Sequence, residues 1–138
     1  MTLLDTLAPL RAHGNTRTTG LDDATILAFA ARDPQLAEAI HAAATEYAQV
    51  RADFPGLHED AQRAEVQAGF VNFYSQDNAN PYVALTARGP WIVTLKGAVV
   101  YDTGGYGMLG LGHAPQAVID AMAKPQSMAN IMTPHVAQ

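Results

Sequence analysis

The residues best placed to do chemistry fall in one segment, Tyr101-Asp-Thr-Gly-Gly-Tyr-Gly-Met-Leu-Gly-Leu-Gly-His113. Five of the chain's eleven glycines lie between Gly104 and Gly112, directly after the apolar run Gly97-Ala-Val-Val-Tyr101. Glycine serves where φ must be positive or where backbone must approach a ligand closely. A glycine run that leaves a strand and enters a helix at Pro115 is backbone shaped to fit something. One occupant would be a dinucleotide, because Gly105-Tyr-Gly107-Met-Leu-Gly110 satisfies G-x-G-x-x-G. That motif needs a helix N-terminus at its second glycine to meet the pyrophosphate, and here the helix begins only at Pro115. It also needs an acidic residue about 20 positions on to hold the ribose, and nothing acidic follows Asp120. The preceding strand belongs to a Lys96-Gly97 hairpin rather than to a βαβ unit. The dinucleotide reading fails.

Other reactive side chains are less well placed. His13, His41 and His58 fall in different elements with no ligand spacing, which leaves no metal site. His58, Glu59 and Asp60 read as a solvated helix start, where carboxylates favour the macrodipole. Ser75 and Ser127 have no base placed by sequence, so a hydrolase triad has no support. His113, at a helix entry, is expected to hydrogen-bond backbone rather than act in catalysis. Lys96 belongs to a turn and Lys124 to a helix C-terminus; neither resembles the desolvated amine that covalent catalysis with a carbonyl needs. Met108, Met122, Met128 and Met132 read as interface or core filler. No catalytic residue is assigned.

Composition narrows the partners. Apolar residues make up 49% of the 138 and charged ones only 15%, the balance of a globular domain with a thinly charged surface. That surface is expected to be covered by a partner or by further chain. A net charge of −5, with Lys96 and Lys124 as the only lysines, excludes a basic stripe for nucleic acid. There is no cysteine for a disulfide or thiolate site. Neither a leader-like start nor an apolar run of about 18 residues is present, and a cytoplasmic, non-membrane protein is expected.

These residues must be positioned by an α+β arrangement. Residues 1–20 read as an irregular arm, with Leu3, Leu4, Leu7 and Leu10 forming one amphipathic turn. Residues 21–76 read as a helical hairpin or small bundle. Asp22 or Asp23 caps a helix to about Arg32 with Ile26, Leu27 and Ala30 on one side. Asp33-Pro34 starts a second, along which Leu36, Ile40, Ala43, Ala44 and Tyr47 recur at helical spacing. A third is expected from Glu59 to Tyr74, with an apolar stripe of Ala61, Ala64, Ala68 and Val71 beside Val66, Phe70 and Phe73. Residues 77–138 change period: strands at Tyr82–Ala87, Trp91–Leu95 and Ala98–Asp102 form an antiparallel hairpin or meander, followed by the glycine-rich loop. A helix at Pro115–Lys124 then presents Val118, Ile119 and Met122. The chain closes on Thr133-Pro134, an N-cap and first-turn proline, so it reads as the N-terminal portion of something longer.

From Gly89 to Gln138, just over a third of the chain, the pattern resembles the N-terminal segment of class III aminotransferases, which are fold-type I pyridoxal-phosphate enzymes. The residues that carry it are Tyr101, Asp102, Gly104, Gly105, Gly107, Leu111-Gly112-His113, Pro115 and Val118-Ile-Asp-Ala-Met122, with Ala114 alone between the histidine and the proline. The resemblance implies that the chain is a fragment of a larger α/β enzyme, with a substrate-side role for Gly104, Gly105, Tyr106 and Gly107. It implies that Asn130 and Thr133 reach cofactor or substrate from the partner subunit of a homodimer. It also implies that the cofactor lysine lies downstream, so the isolated chain is expected to be inactive and to bind no pyridoxal phosphate by itself. The expected function is part of an enzyme that moves an amino group between an amino donor and a keto acid. The alternative is a non-enzymatic helical interaction or oligomerisation domain.

Overall fold

The computed structural model describes residues 2–13, 16–71, 80–103 and 110–124. Its elements are α1 (Leu3–Arg11), α2 (Asp23–Ala30), α3 (Pro34–Tyr47), α4 (Glu59–Gln67), β1 (Ala84–Arg88), β2 (Trp91–Thr94), β3 (Val99–Tyr101) and α5 (Gln116–Met122). The strands form an antiparallel sheet in the order β1-β2-β3, so the chain is α+β with a meander. Gly89 and Pro90 turn β1 into β2, with Arg88 opposite Trp91. At the other end Gly97, at φ +72°, lets the chain turn from β2 into β3.

α3 is the platform of the fold. Leu36, Ala39, Ile40 and Ala43 are buried at the i, i+3, i+4, i+7 spacing of one helical face. That face packs on α1, α2, β1 and β2. Ala39 and Ala43 bring helix backbone close to the sheet, and the Thr86 hydroxyl donates to the Ala39 carbonyl at 2.8 Å. Leu7 and Leu10 of α1, Ile26 of α2, and Trp91, Val93 and Val99 of the sheet complete one core. Each fully buried side chain of this size contributes about 1.5–3 kcal/mol. Helices and strands therefore share a single apolar interior rather than packing as two halves.

Two expectations need correction. The stretch 1–20, read as an irregular arm, opens with a nine-residue helix. Thr2 and Asp5 cap each other, Asp5 N–H donating to Thr2 Oγ1 at 3.2 Å and Thr2 N–H to Asp5 Oδ2 at 2.7 Å. Such a box normally carries Glu or Gln, and the shorter Asp hid it. Pro9 removes one helical N–H, but burial of Leu7 and Leu10 outweighs that loss. Second, α4 ends at Gln67, with Gly69 at φ +85°, well before Tyr74. Its expected apolar stripe faces outward: Val66 is 48% exposed, Phe70 73% and Val71 99%. The buried positions are instead Glu59, which accepts the Arg17 N–H at 2.6 Å, and Gln62, which donates to the carbonyls of Phe54 and Pro55. Polar anchoring to loops decided the rotation of this helix.

Among the described residues no helix is long and apolar enough to cross a membrane.

The junction of α3 with the sheet rests on Asp33. Its Oδ1 accepts the Gln35 N–H at 3.0 Å as the N-cap, and its Oδ2 accepts the indole N–H of buried Trp91 at 2.8 Å. Asp33→Ala removes a cap and strands an indole donor in the core, so the expected loss is about 2–4 kcal/mol. Urea unfolding followed by Trp91 fluorescence measures it; a loss no larger than that of an ordinary cap would show that the indole bond contributes nothing.

Candidate functional site

The glycine-rich segment leaves the sheet and returns to it at one place. β3 ends at Tyr101, and the Asp102 N–H donates to the Pro90 carbonyl at 2.8 Å. Beyond the segment, His113 pairs with Gly89 as an isolated antiparallel bridge. Gly89 N–H donates to the His113 carbonyl at 3.0 Å, and His113 N–H to the Gly89 carbonyl at 2.7 Å. The two ends are also joined by side chains, with His113 Nε2 2.9 Å from Asp102 Oδ2. The two ends of the connection therefore meet at the β1–β2 turn.

Two glycines make the closure sterically feasible. A Cβ on Gly112, whose φ is +72°, would lie 2.7 Å from the Gly89 Cα. A Cβ on Gly89, at φ +51°, would collide with the Gln35 side chain in the first turn of α3. Backbone packs on backbone, and both positions need left-handed φ. Ala114 follows at φ +48°, a left-handed conformation that costs a non-glycine residue about 1 kcal/mol or more. Pro115 then caps α5. The strain sits between the bridge and the helix, where the chain must change direction within a few residues.

Two titratable side chains meet at this root, and Tyr82 feels the charge of one of them. The Asp102 and His113 side chains are 19% and 32% exposed, half-shielded but open to a ligand. The carboxylate fixes the ring orientation and leaves Nδ1 as the nitrogen turned away from it. Tyr82 is pushed above the usual phenol range, first by burial and then by the negative charge of Asp102. Beside the site, the buried Trp91 ring contacts two half-exposed aromatics, Phe29 at 5.2 Å and Tyr101 at 4.9 Å between centroids. The site thus offers an oriented imidazole and an aromatic face at the base of the glycine-rich segment.

None of the site residues expected from the sequence is among the described residues that meet here. Gly104, Gly105, Tyr106 and Gly107, read as substrate-contacting, lie outside the described residues, as do Asn130 and Thr133, read as reaching the cofactor, and the serines Ser75 and Ser127. The ring of His113, expected to bond backbone, bonds the Asp102 carboxylate instead; only its peptide group bonds backbone. The pair was hidden because the two residues are separated by the whole glycine segment. Tyr82 gave no sign in sequence. No group of three or more potential metal ligands occurs among the described residues.

Lys96 does not supply the amine that pyridoxal phosphate would need at this root. Lys96 lies in the β2–β3 turn, at the opposite end of a four-residue strand, about 13 Å away by strand rise. Its Nζ donates to the His13 carbonyl at 3.2 Å. Lys124 follows α5. The Lys96 amine is therefore not placed at the Asp102–His113 pair. Comparison with known protein families, curated proteins and solved structures finds no match.

Two measurements test this geometry. Gly110 is also left-handed, at φ +62°, but a Cβ there meets nothing within 4 Å. Gly110→Ala is expected to cost about 1 kcal/mol, whereas Gly112→Ala costs at least twice that and abolishes hydrogen-exchange protection of the Gly89 amide. Equal costs, with Gly89 still protected, would disprove the close approach. Separately, Asp102→Asn removes a negative charge that opposes ionisation of Tyr82. Tyr82 should then ionise at lower pH, read by NMR of ring-labelled tyrosine; an unmoved titration would separate the two groups.

Proposed function

We propose that the chain supplies the substrate-side wall of a pyridoxal-phosphate-dependent aminotransferase, with the cofactor's lysine provided from outside the chain. The observation that supports this reading is the closed root of the glycine-rich loop. The Gly89–His113 bridge and the Asp102–His113 pair fix both ends of a segment whose residues resemble the substrate side of class III aminotransferases. In that role the segment from Gly104 to Gly107, with Tyr106, contacts the substrate. Asp102 and Tyr101 hold its entry, and His113 with Gly112 holds its exit. The bound cofactor would accept an amino group from a donor and pass it to a keto acid, and the protein would orient it and exclude competing reactions. A homodimer, with Asn130 and Thr133 reaching across to the partner's cofactor, belongs to the same proposal.

The exposed apolar surface agrees with a chain that packs against more protein. On α5, Ile119 is 44% exposed and Met122 78%, and the apolar side of α4 is likewise uncovered. The same surface supports the second reading, a helical interaction or oligomerisation domain without catalysis.

The test uses the protein encoded by the whole reading frame that contains this chain. It is expected to copurify with, or bind, pyridoxal phosphate, to show the visible absorbance of the bound cofactor, and to transaminate in a panel of amino donors and keto acids. Tyr106→Ala should weaken substrate affinity while leaving cofactor absorbance intact. The 138-residue chain alone, mixed with pyridoxal phosphate and reduced with borohydride, should yield no stoichiometric lysine adduct. A full product that binds no pyridoxal phosphate would favour the interaction domain. A single trapped lysine in the 138-residue chain would overturn the assignment of the lysine to other sequence.

A further inference from the structure

At the end of the sheet remote from His113, the C-terminal turn of α1, the segment 16–19 and the β2–β3 turn border a cavity of about 180 Å³. Among the described residues its charged lining is two cations, Arg11 and Lys96, its neutral polar lining includes Thr16, Thr18 and Thr19, and no carboxylate lines it. Lys96 is only 6% exposed. Its ammonium has three N–H donors, and its one partner among the described residues is the His13 carbonyl. Arg11 donates through Nε to the Gly97 carbonyl at 3.0 Å and through Nη1 to Asp23 at 2.7 Å, which leaves Nη2 without a partner among the described residues. The Thr18 hydroxyl is shielded from solvent and has no hydrogen-bond partner.

These observations share one direction. An ammonium withdrawn from water without a counter-charge is unfavourable, and so is a buried hydroxyl without a partner. Lys96 and Thr18 both line the same cavity, beside a guanidinium whose Nη2 has no partner among the described residues. The threonine segment is held in place independently of any ligand. Arg17 N–H donates to Glu59 at 2.6 Å, and Leu21 N–H to the Val99 carbonyl at 2.8 Å. Gly20, at φ +67°, lets the segment lie so close to β3 that a Cβ would come 2.5 Å from the Val99 carbonyl oxygen. Gly97 likewise admits Arg11, since a Cβ there would come 2.7 Å from the Arg11 Cγ. Thr16 Oγ1 donates to the Thr18 carbonyl at 2.6 Å and sets the turn between them.

We propose that this cavity binds a phosphoryl oxyanion, either free phosphate or the phosphate group of a small monoester. Lys96, Arg11, Thr18 and Thr19 are donors drawn from three separate parts of the chain. They suit the several acceptor oxygens of a tetrahedral anion better than a planar carboxylate or a halide. The site is distinct from the Asp102–His113 root and does not depend on the aminotransferase reading.

The test is thermal unfolding of the 138-residue chain in inorganic phosphate, glycerol phosphate, acetate and sodium chloride at matched ionic strength. Phosphate or its ester should raise Tm by about 4 °C when present at roughly ten times its Kd. Acetate and chloride should not. A larger shift with glycerol phosphate identifies an esterified ligand, and a larger shift with phosphate the free ion. Thr18→Val should leave the ligand-free Tm unchanged or higher, because it replaces an orphaned hydroxyl with a methyl, yet it should diminish the phosphate shift. Lys96→Met should abolish that shift, and Lys124→Gln, outside the cavity, should retain it. If Lys96→Met does not fold, Thr18→Val still decides. A phosphate shift no larger than that in chloride, or one that Thr18→Val leaves intact, overturns the proposal.

Discussion

The carboxylate of Asp33 fixes the relation between helix and sheet on which the remaining geometry depends. One oxygen ends the N-terminus of α3, and the other holds the indole of Trp91 at the first position of β2. Trp91 follows the Gly89–Pro90 turn directly, so the same bond that docks the helix also places the turn. Gln35, two residues after Asp33, fills the space beside Gly89 that a side chain there would need. From this corner the fold extends two ways. The buried stripe of α3 carries the sheet and α1, and the turn carries the bridge to His113 that closes the glycine-rich loop.

Much of this order was legible in the residues, and what was not has identifiable causes. Asp22 and Asp33 announced their helices because a side chain that caps does so within three residues of its own position. The strands were legible from β-branched and aromatic runs broken at Gly89-Pro90 and at Lys96-Gly97. α1 was read as an arm because Thr2 pairs with Asp5 rather than with a glutamate, and because Pro9 argues locally against a helix. The face of α4 was misread for another reason. Periodicity places apolar residues inward, but Glu59 and Gln62 are drawn in by backbone groups of the segments at 17 and 54–55. The site shows the same limit. Glycine spacing marks the loop, whereas the contact between Asp102 and His113 exists only after the chain has folded back on Gly89.

The surface follows from the same partition of apolar residues. A chain with 49% apolar and 15% charged residues cannot hide all its hydrophobic side chains around one small sheet. Its core takes the leucines of α1 and the stripe of α3, and the surplus appears on α4 and α5. Those two short helices also make few commitments to the core, since α5 buries no residue and α4 buries only polar ones. The orientation of α4 is set by its cap and loop contacts rather than by apolar packing.

The contact between Gly89 and Gly112 carries one more implication. Both sides of the closure are backbone, supported by a turn and by the first turn of α3, none of which belongs to the segment that it encloses. The two ends of the segment, Asp102 and His113, therefore take their places from the scaffold, and any change that forces Gly89 and Gly112 apart moves both ends at once.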